Sequence, residues 1–229
     1  MNGYIIAAAI FTITCVVSAI FFMKSYRAEN FVRSFWLKGA AAVSFVAVGT
    51  SLLLFKENSA YASTVLLGLI FGLCGDQLLA IRLIHRNHHD LFFTIGALSF
   101  GVGHVVYVMA QRMIGEIHIP ILLVAFLASA ILSLIYARKK GTDVGEKTPL
   151  AIGYIAVVLT MGSAAISVAA TTGSVAAILF SAGGILFGVS DNILCAYCYG
   201  KKPVWRMNRD LHITYYGAQL AIAWSILFI

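Results

Sequence analysis

Residues 61–81 read YASTVLLGLIFGLCGDQLLAI, twenty-one residues with one charged side chain, Asp76. At about 1.5 Å per residue a helix of this length spans roughly 30 Å, the thickness of the hydrocarbon core of a bilayer. A carboxylate inside such a span is costly unless it is paired, protonated or functional. The stretch raises two questions: whether the chain crosses a membrane, and what Asp76 does there.

Composition answers the first. Of 229 residues, 61% are hydrophobic and 11% charged, with a mean hydropathy of +0.93. A soluble domain carries about twice that charged fraction. Eight apolar runs lie near 3–23, 35–55, 61–81, 91–111, 117–137, 149–171, 175–199 and 211–229. Their short connections leave no room for a soluble domain. The expected fold is an all-α membrane protein, with residues 1–229 forming a single polytopic domain of eight transmembrane helices.

A net charge of +7 and a pI near 9.3 would suit nucleic acid, but the placement of the charges argues otherwise. Counted from the N-terminus, the odd loops carry Lys24, Arg27, Arg33, Arg82, Arg86, Arg138, Lys139, Lys140, Lys147, Lys201, Lys202, Arg206 and Arg209. Lys38 follows the first loop on the same side, whereas the even loops carry only Lys56 and Arg112. The positive-inside rule then places the odd loops in the cytoplasm and both termini outside. The basic side suits contact with anionic lipid head groups, and no nucleic-acid partner is expected. The start, MNGYIIAAAI, lacks the basic region of a cleavable signal peptide, so the first span is expected to remain. Cys195 and Cys198 form a lone C-x-x-C, read as packing residues.

The third and seventh runs resemble each other. FGLCGDQLLA (71–80) aligns with FGVSDNILCA (187–196) with one residue of slippage. Each places an Asp and an amide after a G-x-x-x-G pair, Gly68/Gly72 and Gly184/Gly188. Gly68, Gly72 and Asp76 share one helical face. A parallel four-plus-four helix repeat would produce this pattern.

Nine acidic residues occur, and only Asp76 and Asp191 lie well inside a span. Helix rise puts both roughly 9–15 Å from the basic end. Tyr215, Tyr216 and Gln219 in the last run reach similar depth. In the fourth run Phe93, Gly96, Phe100, His104 and Tyr107 form an i, i+3/i+4 stripe. A lone buried Tyr or His is more often an interhelical hydrogen bond than a catalyst; the convergence of polar groups from five spans favours a site.

These residues carry a resemblance. Lys38 opening the second span, Gly75-Asp76, the Phe93-to-Tyr107 stripe, Ser190-Asp191 and TYYGAQL (214–220) resemble the YhhN-like lysoplasmalogenase family of eight-span membrane proteins. The resemblance covers most of the chain; Gly39 stands where that family commonly has Pro after the Lys. It implies hydrolysis of the vinyl ether bond of lysoplasmalogens, releasing a fatty aldehyde and a glycerophospho-alcohol. It also implies a multi-pass protein of a bacterial-type inner membrane.

Vinyl ether cleavage suits two buried carboxyls. Protonating the β-carbon creates an oxocarbenium ion, water adds, and the hemiacetal collapses. One carboxyl must hold a proton near neutral pH, and an anion must stabilise the cation and orient water, as glycosidase carboxyl pairs do. Asp76 and Asp191 are the expected catalytic pair, in a site open to the cytoplasmic side. The substrate-binding set is Lys38, Arg82, His104, Tyr107, Asn192, Tyr215, Tyr216 and Gln219, with Lys38 and Arg82 placed at the interface to hold a phosphate. The expected partners are a lysophospholipid substrate and membrane lipids; no cofactor or metal is expected, and oligomeric state stays open. Two other readings compete. One is a small-molecule or ion transporter using Asp76 and Asp191 as a coupling site. The other is a zinc hydrolase built on His85, His88 and His89 of HRNHH.

Overall fold

A helix satisfies all its own backbone hydrogen bonds, which is why apolar runs of this length become helices. The computed structural model describes residues 2–57 and 59–229, the side chains of Asn2 and Arg86 excepted. Its long helices are α1 (Asn2–Arg27), α2 (Phe31–Phe55), α3 (Ala60–Ile81), α4 (His89–Ile114), α5 (Ile119–Lys140), α6 (Thr148–Thr172), α7 (Val175–Tyr199) and α8 (Trp205–Ser225). Among the described residues there is no strand.

Helix boundaries follow local chemistry. Asn30, Ser59 and Ser174 accept hydrogen bonds from the backbone N–H groups of Arg33, Ala62 and Ala177, capping α2, α3 and α7. Pro120 and Pro149 sit in the first turns of α5 and α6, where a missing N–H costs nothing. Gly141 and Gly173 end the same two helices at φ 60° and 62°, a region a side chain disfavours.

Seven helices are long and apolar enough to cross a membrane; among the described helices α8 is the long one that does not qualify. Arg206, Arg209 and Asp210 fall in its opening turns. The sequence reading started the last span at residue 211, but the helix begins six residues earlier, at Trp205. The reason is burial: Asn208, His212, Tyr215, Tyr216 and Gln219 all face protein, so hydropathy understates this helix.

Helix adjacency forms a closed ring, α2–α3–α4–α6–α7–α8 and back to α2. Outside it, α1 lies against α2 and α8, and α5 lies against α6 with a looser contact to α7. Backbone bonds from Lys201 N–H to Lys140 O (3.2 Å) and from Asp143 N–H to Tyr199 O (3.0 Å) join the α5–α6 and α7–α8 connections. Lys147 pairs with Asp90, and Tyr26 stacks on Trp205, gathering all four odd loops at one end. At the other end the His118 N–H bonds Ser167 Oγ at 2.7 Å and Lys56 Nζ bonds Ile229 O at 2.6 Å. The chain therefore runs up and down, with its basic loops together.

Glycines on α3 let two neighbours reach the centre of the ring. A Cβ on Gly68 would run into the Tyr107 ring, one on Gly72 into the Gln219 amide, and one on Gly75 would lie 2.6 Å from Phe100 Cε2. The small-residue face read from the sequence is the surface on which α4 and α8 dock aromatic and amide side chains.

Candidate active site

Asp76 is 2% exposed and Asp191 5%, and both line one narrow cleft inside the ring. The cleft opens toward the basic end, past Phe31 at the start of α2, Arg82 at the end of α3 and Asn208 near the start of α8. Phe100 and Phe187 stand in its wall, and both meet the Tyr215 ring edge-on, with centroids 5.9 and 5.4 Å away.

The two carboxyls have different company. Lys38 Nζ lies 2.9 Å from Asp76 Oδ1, an ion pair buried on both sides. Tyr215 donates its phenol hydrogen to Asp76 Oδ2 at 3.0 Å. Behind Tyr215, the Gln219 amide N–H donates to the Tyr215 oxygen at 3.1 Å, and Tyr107 donates to the Gln219 carbonyl at 2.9 Å. Each group in this line has one role, donor on one side and acceptor on the other, which fixes the rotamers and the amide orientation.

Among the described residues Asp191 has no cation of that kind. Tyr154 donates to its Oδ2 at 2.9 Å, and His104 Nε2 stands 3.9 Å from the same oxygen. Among the described residues neither ring nitrogen of His104 has a hydrogen-bond partner, and its ring packs edge-on against Phe187 at 4.5 Å. The positions correspond by helix order: α2 and α8 supply the partners of Asp76 on α3, while α6 and α4 supply those of Asp191 on α7. The places match and the chemistry differs.

Each expected site residue has a definite position. Tyr215 touches Asp76 directly, and Gln219 and Tyr107 stand one and two links behind it. His104 faces Asp191. Arg82 lines the cleft mouth, its guanidinium 4.9 Å over the Phe93 ring and its Nε buried without a partner. Lys38 departs from the expected place: it is 7% exposed and bound to Asp76 rather than waiting at the interface. Tyr216 makes no hydrogen bond to either carboxyl, and its ring lies between Phe45 and His212. Asn192 is outside the cleft altogether. It follows Asp191 by one residue, a rotation of about 100°, and donates to Gly188 O at 2.8 Å on the outer face of α7.

The chain matches the YhhN family over residues 33–226. It belongs to that family. No curated relative and no solved structure matches it. In this YhhN member the matched span contains both carboxyls and every partner just described; α1 lies outside it.

Three further residues belong to this YhhN site that the sequence pattern did not single out. Tyr154, the hydrogen-bond donor to Asp191, is the tyrosine of α6, and its signal in the sequence is a phenol inside an apolar span. His212 and Asn208 line the cleft near Lys38, with His212 Nδ1 2.7 Å from Asn208 O and the Asn208 side-chain oxygen unpartnered. Asn208 precedes the expected start of the last span at residue 211, whereas His212 lies inside that span as a lone histidine beside the TYYGAQL motif. His89 Nδ1 sits 3.4 Å from Asp90 Oδ1, and His85 and His88 flank Phe92. Among the described residues no three His, Cys, Asp or Glu side chains are grouped to hold a metal ion.

Proposed function

We propose that this YhhN-family protein is a lysoplasmalogenase-type hydrolase of the membrane, cleaving the vinyl ether of a lysophospholipid by acid and base catalysis from Asp191 and Asp76. One observation carries the reading: two buried carboxyls share a cleft, one ion-paired with a lysine and the other bound to a phenol. In this reading the buried Lys38 cation balances Asp76 as the carboxylate, and Asp191, which has a phenol and no lysine or arginine beside it among the described residues, serves as the acid.

The chemistry follows from that asymmetry. The Asp191 carboxyl protonates the vinyl β-carbon, and the Asp76 carboxylate faces the resulting oxocarbenium ion. Water adds to the cationic carbon and gives its proton to Asp76. The hemiacetal then collapses, its hydroxyl proton going to Asp191 and the proton on Asp76 going to the departing glycerol oxygen. Both carboxyls return to their starting states, and the sum is one water consumed with an aldehyde and an alcohol released. Lys38 and Tyr215 hold Asp76 in place, Tyr154 and His104 do so for Asp191, and Arg82 meets the phosphate at the mouth. Phe100 and Phe187 keep the reacting carbon away from bulk water.

The reading includes topology. α8, with its polar face turned inward, is the eighth span; the basic end faces the cytoplasm of a bacterial-type inner membrane, and both termini face outward. Residues 1–229 act as one domain. The match between α2–α3–α4 and α6–α7–α8 around the ring supports a four-plus-four duplication in which α5 has drifted from its counterpart position.

The test uses purified protein in detergent, with no gradient, and vinyl ether, alkyl ether and acyl lysolipids as substrates. Aldehyde release from the vinyl ether alone is expected. Asp76→Asn and Asp191→Asn should each lower turnover at least ~100-fold, and the double variant should fare little worse than the poorer single one. A folded double variant with near-parental turnover refutes the mechanism.

A further inference from the structure

A second cavity system lies outside the ring. α5 has no buried residue, yet the space between it and the α6–α7 face is an open groove. Gly162, Gly184 and Gly188 line it: Gly162 and Gly184 approach backbone to backbone, and a Cβ on Gly188 would meet nothing within 4 Å. Most of the lining is aliphatic; Ser129, Ser133 and Asn192 are polar points along it, and Tyr136 and Lys139 line it near the basic end of α5. Along α5 from Ser129 to Lys139 the groove runs about 15 Å.

At the basic end the groove meets a second cleft, and Lys139 lines both. Arg138, Lys140, Lys201 and Lys202 complete the cleft. The backbone bond from Lys201 to Lys140 at 3.2 Å fixes the two loops together, and the Lys201 stem lies across Gly141. Among the described residues none of these five cations has a carboxylate within 4 Å, and the Asp210 carboxylate is taken by Arg209 at 2.7 Å. Five like charges held in one cleft repel one another, and an anion relieves that repulsion.

We propose that the groove and the cleft together bind one anionic glycerophospholipid of the bilayer, its phosphate among the five cations and an acyl chain along α5. The apolar groove selects a lipid over a free anion, because only a lipid fills both spaces. The unpaired cations select an anionic head group, because a zwitterionic one would bring an ammonium into their field. The site is distinct from the catalytic cleft and independent of the proposed reaction: Asp191 faces inside the ring, and Asn192, the next residue, faces this groove.

The experiment is lipid titration of the purified full chain in neutral detergent, followed by native mass spectrometry and thermal unfolding. Phosphatidylglycerol, phosphatidylcholine of the same chains and inorganic phosphate are compared. Phosphatidylglycerol is expected to bind at least ~10-fold more tightly than phosphatidylcholine, and the Lys201→Gln, Lys202→Gln pair to lose about that factor. Lys24→Gln, Arg33→Gln removes the same charge from the same end and should leave binding unchanged. Gly188→Leu fills the groove and should weaken binding with no change in the lipid-free unfolding temperature. Equal affinity for the two lipids overturns the proposal, as does equal loss in both charge variants. So does full-strength binding to Gly188→Leu, or stabilisation by inorganic phosphate equal to that by phosphatidylglycerol.

Discussion

Lys38→Met separates the observed geometry from the phosphate-holding role that its place in the sequence suggested. Methionine keeps an unbranched side chain one atom shorter and removes the charge. In the parent, Nζ is 2.9 Å from Asp76 Oδ1, with the two side chains 8% and 2% exposed. Removing one partner of a buried pair costs about 3–5 kcal/mol, because the remaining charge is left uncompensated. Asp76 escapes that penalty only by taking up a proton, and the site then has two acids and no base. The expected result is a lower unfolding temperature in detergent together with at least a ~100-fold fall in kcat, the scale of a lost general base. Adding Asp76→Asn to Lys38→Met removes the stranded charge and should recover at least half of the lost stability, with no recovery of activity. Unfolding scans and aldehyde release on the three proteins decide the matter. A Lys38→Met protein that keeps its kcat and stability and only raises KM refutes the ion-pair argument and restores the phosphate role.

Other consequences follow from single contacts. Tyr154→Phe removes the donor to Asp191 without changing shape, and should lower kcat about tenfold, the worth of one hydrogen bond to a buried acid; unchanged kcat would exclude Tyr154 from the site. Gly72→Ala forces a methyl into the Gln219 amide and should destabilise by about 1–3 kcal/mol, whereas Gly188→Ala, with nothing within 4 Å of its new carbon, should be neutral by the same unfolding assay. Single cysteines at Glu116 and Glu146, in a background free of native cysteines, should react with an impermeant thiol reagent from opposite faces of the membrane. Labelling from the same face would sink the topology.

Much of this protein was legible in its sequence, and the reason is the solvent. In a bilayer every backbone group must bond within its own helix and every stray charge is expensive, so apolar length reveals the helices and the two intramembrane aspartates stand out. The glycine face of α3 was readable for a similar reason, since helical spacing puts Gly68, Gly72 and Asp76 in line. The partners of each aspartate were not readable. A helix's own period says which residues share a face, but how that face is turned depends on packing against several other helices at once. That is why Lys38 lies buried against Asp76 instead of at the interface, and why Tyr154 reaches Asp191 from a helix with no charged residue. It is also why Asn192, one residue beyond a candidate acid, looks outward into another cavity. Hydropathy misplaced the start of α8 because this helix of the ring turns its polar groups against protein, where tertiary contacts rather than lipid satisfy them.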